Sequence, residues 1–169
     1  WLKNEGEGQT YTMTSASGKS VVAFTSGTQH GAVPHQDLNY TFAANTLIEV
    51  QFLAGNTSNV NKSLWLNFRN YNNASQNIAC SFSIPPNTPL SLFTIRGKTN
   101  AVWPSARVEF WNTALDQIPA IIMTDAAVYV RPSLTITSPS GTDCVSPTTA
   151  TSWNFAGGTL GWMTSQMSS

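Results

Sequence analysis

Hydrophobic side chains recur at every second residue along most of this chain, and no other feature constrains its fold as strongly. In residues 63–71 the apolar positions are Leu64, Leu66 and Phe68, and the positions between them are polar or aromatic. A β-strand points successive side chains to opposite faces of its sheet. The pattern therefore predicts a strand with one face in a core and the other face turned away from it.

Turn-forming residues divide the chain into many short segments of this kind. Residues 113–122, interrupted by Pro119, come closest to a helix without making a convincing one. Many short strands at this spacing are typical of an antiparallel all-β sandwich or barrel. The predicted strands, separated by breaks that contain Gly, Pro, Ser or Asn, are residues 11–17, 20–26, 38–44, 46–54, 63–71, 77–84, 90–96, 106–111, 126–131 and 134–137.

Three of the predicted strands, 46–54, 63–71 and 106–111, combine an apolar face with a face of aromatic, amide and ionic side chains. A sugar ring presents C–H patches that stack on aromatic rings and hydroxyls that bond to polar side chains. This combination predicts a carbohydrate-binding face. Its ring platforms are predicted to be Trp65, Tyr71, Trp111 and the nearby loop residue Trp103, and its polar partners Gln51, Asn67, Arg69 and Glu109.

The same face has a second interpretation, in which it serves packing or subunit contact. Trp65 and Trp111 then cover the sheet beneath a loop or another subunit. Arg69 and Arg107 would pair across strands with glutamates, namely Glu49 and Glu109. The aromatic side chains alone do not decide between binding and packing, so both interpretations are kept.

Catalysis has little support in the sequence, and we predict that the protein is not an enzyme. Only Glu49 and Glu109 are expected to share a sheet face, whereas a glycosidase needs two carboxyls about 5 to 9.5 Å apart across a cleft. An ion-paired surface role suits these two residues better. His30, His35 and Asp37 are expected in one loop, where hydrogen bonding is a simpler role than metal binding.

Charged residues make up only 9% of the 169 residues, with eight of each sign. Because the chain has no net field to attract a polyanion, we predict no nucleic-acid partner. No segment approaches the run of about 18 apolar residues that a membrane span needs, so no membrane insertion is predicted. Low charge and four matches to the N-glycosylation pattern favour a secreted, cell-surface or virion-surface protein. The matches are at Asn39, Asn56, Asn61 and Asn73.

Cys80 and Cys144 are the only two cysteines. Cys80 alternates with Ile78 and Phe82, so it can be a small buried hydrophobic residue. A bridge to Cys144 would instead attach the C-terminal segment to the body of the fold, as is common in oxidising compartments. The sequence leaves both readings open.

The order of several segments is similar to that of a known family. Residues 18–22, 38–42, 48–52, 108–112 and 123–130 follow one another as in jelly-roll carbohydrate-binding modules of the xylan- and glucan-binding type. The resemblance covers about residues 1–131. It implies an antiparallel two-sheet β-sandwich of jelly-roll, galactose-binding-like topology, without catalysis.

The resemblance also implies a structural calcium ion near the strand that carries Asp125. The chain departs from the family in the segment that looks like the family's first strand. A Glu is common there, but Ala156 and Gly157 occupy that region.

The resemblance and the composition together divide the chain into a sandwich module at 1–131, a Ser/Thr/Pro-rich linker at 132–151 and an apolar tail at 152–169. The tail resembles the family's first strand, and its large apolar side chains need burial. It can fold back, enter an identical neighbouring subunit, or begin a further module. The residues predicted to mediate assembly are Trp153, Phe155, Leu160 and Trp162.

Two functions follow from these patterns. The first is an extracellular module that binds a polysaccharide or another glycan. The alternative is a structural subunit of an extracellular filament, appendage or virion that assembles head to tail by exchange of its C-terminal strand.

Overall fold

The computed structural model describes residues 2–5, 10–16, 19–25, 32–112, 121–148 and 160–161. These residues form two antiparallel sheets and contain no helix. The prediction of an all-β, two-sheet sandwich is confirmed. Within the described part of the chain, no helix is long and apolar enough to span a membrane. The strands are β1 (Leu2–Glu5), β2 (Thr10–Ala16), β3 (Lys19–Thr25), β4 (Ala32–Leu38), β5 (Leu47–Asn56), β6 (Lys62–Asn70), β7 (Asn73–Ile84), β8 (Thr88–Lys98), β9 (Ala106–Asn112), β10 (Ile121–Val130), β11 (Thr142–Thr148) and β12 (Leu160–Gly161).

The two sheets are built largely from strands that are not consecutive in the chain. The five-stranded sheet has the order β1-β4-β9-β6-β7, and the seven-stranded sheet has the order β11-β8-β5-β10-β3-β2 with β12 beside β10. The chain crosses between the sheets several times, as it does in a jelly roll. Strands β6 and β9 lie next to each other within the five-stranded sheet, and they carry most of the predicted site.

The core lies between the facing sheets and follows the predicted alternation. Leu64, Leu66 and Phe68 of β6 are completely buried. From the other sheet, β5 contributes Ile48, Val50 and Phe52. Aromatic rings interlock at the centre, where Phe52 contacts phenylalanines of both sheets at ring-centroid distances between 5.1 and 5.7 Å. Burial of these side chains is the main force that holds the sheets together.

Two predicted strands are wrong in position. Residues 38–44 were expected to form a strand, but β4 ends at Leu38 and only Phe42 makes an isolated bridge, to Trp103. Residues 134–137 lie in the connection between β10 and β11, where Arg131 and Leu134 close a turn. β11 itself occupies 142–148, within the segment expected to be a linker. The positions of the domain boundaries stay a prediction.

A disulfide joins Cys80 to Cys144, which resolves the alternative that the sequence left open. Cys80 belongs to β7 at the edge of the five-stranded sheet, and Cys144 belongs to β11 at the edge of the seven-stranded sheet. The bridge therefore ties the two sheets together along one side of the sandwich. Beside it, Gly97 faces Ile78 so closely that an added Cβ would lie 2.5 Å from the Ile78 Cγ2.

We expect replacement of both cysteines by serine to lower the free energy of unfolding by about 4 kcal/mol. The bridge closes a loop between residues 64 positions apart, and such a loop limits the entropy of the unfolded chain. Urea unfolding with and without reductant measures the effect. Reductant should destabilise the wild type and leave the double variant unchanged. Equal stability of the two oxidised proteins would contradict the expectation.

Asp143 stabilises the turn that precedes β11. Its carboxylate accepts hydrogen bonds from the backbone N–H groups of Thr137, at 2.9 and 3.1 Å, and of Ser138, at 2.6 Å. The Thr137 hydroxyl donates a further bond. These bonds favour the charged carboxylate, and the backbone bonds to Thr137 and Ser138 lower the pKa of Asp143 below its usual value.

This lowered pKa gives stability a dependence on pH. The contribution of Asp143 should be complete above its unfolded pKa of about 3.9 and should be lost as the pH falls through the lower pKa of the folded state. Asp143→Asn should therefore be less stable than wild type near neutral pH, with a gap that narrows in acid. Unfolding midpoints from about pH 2 to 7 test this. A gap of constant size across that range would rule it out.

The C-terminal tail is described only at Leu160 and Gly161. Leu160 pairs with Val128, and Gly161 pairs with Ala127, both in β10 of the same chain. At these two residues the tail therefore folds back onto its own chain. The other residues predicted to mediate assembly, Trp153, Phe155 and Trp162, lie outside the described residues.

Candidate functional site

The outward surface of β6 and β9, called the outer face below, brings together most of the predicted site residues. Antiparallel pairing places Trp65 opposite Trp111, Asn67 opposite Glu109 and Arg69 opposite Arg107. Strand β4 adds His35 opposite Glu109 and Asp37 opposite Arg107. The apolar side chains between these positions point into the core, so the same alternation that builds the core also assembles the outer face.

Two tryptophan rings lie side by side at one end of the outer face. The rings of Trp65 and Trp111 have their centroids 5.8 Å apart and their planes inclined at 48°. Both side chains are partly exposed. The indole N–H of Trp111 is buried and donates no hydrogen bond. The pair thus forms a broad aromatic surface with an unsatisfied donor within it.

Glu109 organises the polar centre of the outer face. Its carboxylate is only 7% exposed and lies 2.6 Å from Nη2 of Arg69. Nε of Arg69 donates to the same oxygen at 2.7 Å, and Nδ2 of Asn67 donates to the other oxygen at 3.2 Å. The amide oxygen Oδ1 of Asn67 is buried and accepts no hydrogen bond. The centre is therefore held rigidly while one acceptor stays unsatisfied.

Arg107 and Tyr71 lie at the other end of the outer face. Arg107 donates from Nε and Nη2 to the two carboxylate oxygens of Asp37, at 2.6 and 3.0 Å. The hydrogen bond to Asp37 raises the pKa of Arg107 above its usual value, although burial opposes the shift. The guanidinium carbon lies 4.8 Å from the centroid of the Tyr71 ring. Tyr71 is 47% exposed, which makes it the most open aromatic side chain of this face.

Two predicted binding residues do not belong to this face. Trp103 is completely buried and packs against Phe68 in the core, with the ring centroids 5.5 Å apart. It therefore cannot offer a ring to a ligand from solvent. Gln51 lies on β5 of the opposite sheet, where its amide donates to Glu49. The alternation of β5 was predicted correctly, but alternation does not say which sheet a strand joins, and Trp103 lies in a loop between β8 and β9.

The expectation that Glu49 and Glu109 share a sheet face is also wrong, because β5 and β9 belong to different sheets. Glu49 forms ion pairs with Arg96 at 2.9 Å and with Arg131 at 3.3 Å. The Arg69–Glu109 ion pair, expected from the packing interpretation, is present. Both glutamates are therefore ion-paired, but they are buried rather than on the surface, and Glu49 pairs with Arg96 and Arg131 instead of Arg69 or Arg107.

His35 and Asp37, which sequence analysis assigned to a loop, lie in β4. Their spacing of two residues is the signal that could have placed them on one face of a strand, but Gly31 and Pro34 indicated a loop instead. His30 lies outside the described residues. His35 is buried opposite Glu109. Its side chain is not without an interaction partner.

The side chain of Asp125, near which the resemblance implies a calcium ion, lies outside the described part of the structure. Strand β10 carries this residue at a shift in its register with β5, between Thr124 and Ala126. No group of three or more His, Cys, Asp or Glu side chains that could hold a metal ion occurs in the part of the chain the structure describes. A calcium ion at Asp125 stays a prediction.

Comparison with known proteins supports the fold. No family model and no curated protein matches the chain. The solved structure named "BiXyn10A CBM1 APO" is similar, with a TM-score of 0.51 and 14% sequence identity over 75% of this chain and 86% of that one. The chain thus shares the β-sandwich fold of a protein that its name describes as a carbohydrate-binding module, CBM. At this level of identity the similarity concerns the fold alone.

The polar centre should contribute much more to stability than the ion pair beside it. Glu109→Ala leaves the largely buried Arg69 without its carboxylate, which should cost about 3 kcal/mol of unfolding free energy. Asp37 is 39% exposed, and its removal leaves Arg107 with a second carboxylate oxygen, that of Glu109, at 4.0 Å, so Asp37→Ala should cost less than about 1 kcal/mol. Urea denaturation of the two variants compares them directly. Equal losses would show that the burial of Glu109 has no energetic consequence.

Proposed function

We propose that this chain is a non-catalytic carbohydrate-binding β-sandwich and that its outer face holds the glycan. The neighbouring rings of Trp65 and Trp111 match the C–H patches of a sugar ring. Asn67, Arg69 and Glu109 border these rings with amide, guanidinium and carboxylate groups that suit hydroxyls. This combination of an aromatic surface and a fixed polar border is the main support for the proposal.

Two unsatisfied polar groups of the outer face agree with a role in binding, although Trp103 in the core also keeps an unpaired indole N–H. Asn67 keeps a buried acceptor without a donor, and Trp111 keeps a buried donor without an acceptor. Leaving such a group unpaired costs about 1 to 3 kcal/mol. Trp111 is the diagonal neighbour of Asn67 on the adjacent strand, and the Cα atoms of such neighbours lie about 7 to 8 Å apart. A sugar hydroxyl both donates and accepts, so it suits an unpaired acceptor as well as an unpaired donor.

The ion pairs of the outer face favour a ligand that carries no net charge. Arg69 and Arg107 are balanced by Glu109 and Asp37, and each arginine lies within 2.7 Å of a carboxylate oxygen. A charged ligand would have to displace one of these pairs at a cost in desolvation. A ligand rich in hydroxyl groups can bind while both pairs persist.

We place the protein in a secreted, cell-surface or virion-surface location. The disulfide between Cys80 and Cys144 supports an oxidising compartment. Of the glycosylation matches, Asn39, Asn61 and Asn73 are exposed. Asn56 is 1% exposed, and its amide bonds to the carbonyl groups of Val60, Ile84 and Pro85, so it cannot carry a glycan in the folded chain.

Head-to-tail assembly is a second hypothesis. The short pairing of Leu160–Gly161 with β10 occurs within one chain, and the same pairs would form if the strand came from a neighbouring copy. Light scattering of the full chain, and of a chain that ends at residue 150, tests this. Assembly that needs the tail would support a role in a filament, an appendage or a virion. A monomeric full chain would remove the hypothesis.

Glycan binding should depend on both tryptophans of the outer face. Trp65→Ala and Trp111→Ala should each weaken retention on polysaccharide at least about tenfold, because each removes a ring from the aromatic surface. Melting curves of both variants serve as the folding control, since each ring is only partly exposed. Affinity electrophoresis in a panel of soluble polysaccharides gives the readout. Leu90→Ala, a change at a 44% exposed apolar residue of β8, is the matched control.

Two results would count against the proposal. One is a wild-type protein that no glycan retains. The other is retention that survives removal of both rings, since the ligand would then bind elsewhere. Unfolding of the tryptophan variants would be detected in the melting curves and distinguished from loss of a binding contact.

A further inference from the structure

We infer that the glycan lies along the direction of β6 and β9, from the Trp65–Trp111 pair to Tyr71, and that the site selects a chain of several sugar units. This inference rests on the proposed function of the outer face. It concerns the length and direction of the ligand, which the fold does not specify.

The positions of the aromatic rings set the direction. Tyr71 follows the last residue of β6, six residues beyond Trp65. At the rise of a β-strand, this separation is about 20 Å. Two polar pairs lie between the rings, first Asn67 with Glu109 and then Arg69 with Arg107. Rings at the two ends and polar groups between them suit a ligand that extends over the whole distance.

Across the strands towards β7, the outer face offers much less to a sugar. On the neighbouring strand β7, the residues opposite Ser63, Trp65 and Asn67 are Ser83, Ser81 and Ala79. These small side chains supply no ring for stacking. A glycan that crossed from Trp65 towards β7 would therefore lose aromatic contact after the first unit.

Tyr71 is held in place before any ligand arrives. Its backbone N–H donates to the carbonyl of Ser105 at 3.1 Å, and its ring lies against the guanidinium of Arg107. Asp37 fixes that guanidinium with two hydrogen bonds. Because a cation beside an aromatic ring restrains it, Tyr71 is preorganised and loses little freedom when it contacts a ligand. Arg107 is thus a positioning residue for this contact.

Affinity should therefore increase with the length of the oligosaccharide. A disaccharide can reach the tryptophan pair and the adjacent polar groups, whereas only a longer chain also reaches Tyr71. We expect a hexasaccharide to bind up to about tenfold more tightly than a disaccharide, as one added stacking contact allows. Changes at Tyr71 should remove this gain without affecting the short ligand.

The experiment begins with retention of the wild-type chain on xylan, mixed-linkage β-glucan, mannan and galactan. Isothermal titration then uses the oligosaccharide series, from disaccharide to hexasaccharide, of the polysaccharide that retains the protein. Tyr71→Ala should reduce hexasaccharide affinity to the disaccharide level, while Tyr71→Phe should keep the gain. Arg107→Ala should reduce the gain, because the ring loses its support. Trp65→Ala should weaken every length.

The outcomes separate the two proposals. Retention on none of the four polysaccharides would overturn both. Retention with equal affinity for all lengths would overturn only the inference about direction and length. A Tyr71→Ala variant that loses as much disaccharide affinity as hexasaccharide affinity would also overturn it. Because Tyr71 is exposed at the end of a strand, this variant should keep the wild-type melting curve, which serves as the folding control.

Discussion

The pairing of β6 with β9 is the constraint on which both the core and the outer face depend. In this register Leu66 lies opposite Phe110 inside the sandwich, and Trp65 lies opposite Trp111 outside it. A slip of one residue would turn apolar side chains to solvent and bury an arginine. The cost of that exchange keeps the register fixed. The site therefore owes its geometry to the hydrophobic core behind it.

Ion pairing gives each sheet a rigid outer centre despite the low charge of the chain. Glu109 holds Arg69 on the five-stranded sheet, and Glu49 holds Arg96 and Arg131 on the seven-stranded sheet. Both carboxylates are almost fully buried, so these pairs are less screened by salt than surface pairs. The two centres differ in what surrounds them. Among the described residues, the first lies beside a pair of partly exposed tryptophan rings with an unpaired acceptor and donor.

The faces of individual strands can be predicted well from the sequence, because alternation is a local property of the backbone. Leu64, Leu66 and Phe68 turn inward as expected. Assignment of strands to sheets depends on contacts between distant segments, which periodicity does not record. Gln51 was for this reason grouped with Trp65, although the two residues lie on opposite sheets. Trp103 was misplaced because its single bridge to Phe42, rather than a strand, carries it into the core.

The disulfide has a consequence for how the protein bears mechanical load. Strands β8, β9 and β10 all lie between Cys80 and Cys144, so they form part of a covalently closed loop. Tension applied to the two ends of the chain would pass through the sulfur atoms and leave these strands unstretched. Trp111 and Glu109 are inside the protected loop, whereas Trp65 and Asn67 are outside it. A pull strong enough to detach β6 would thus divide the outer face along the line between its two tryptophans.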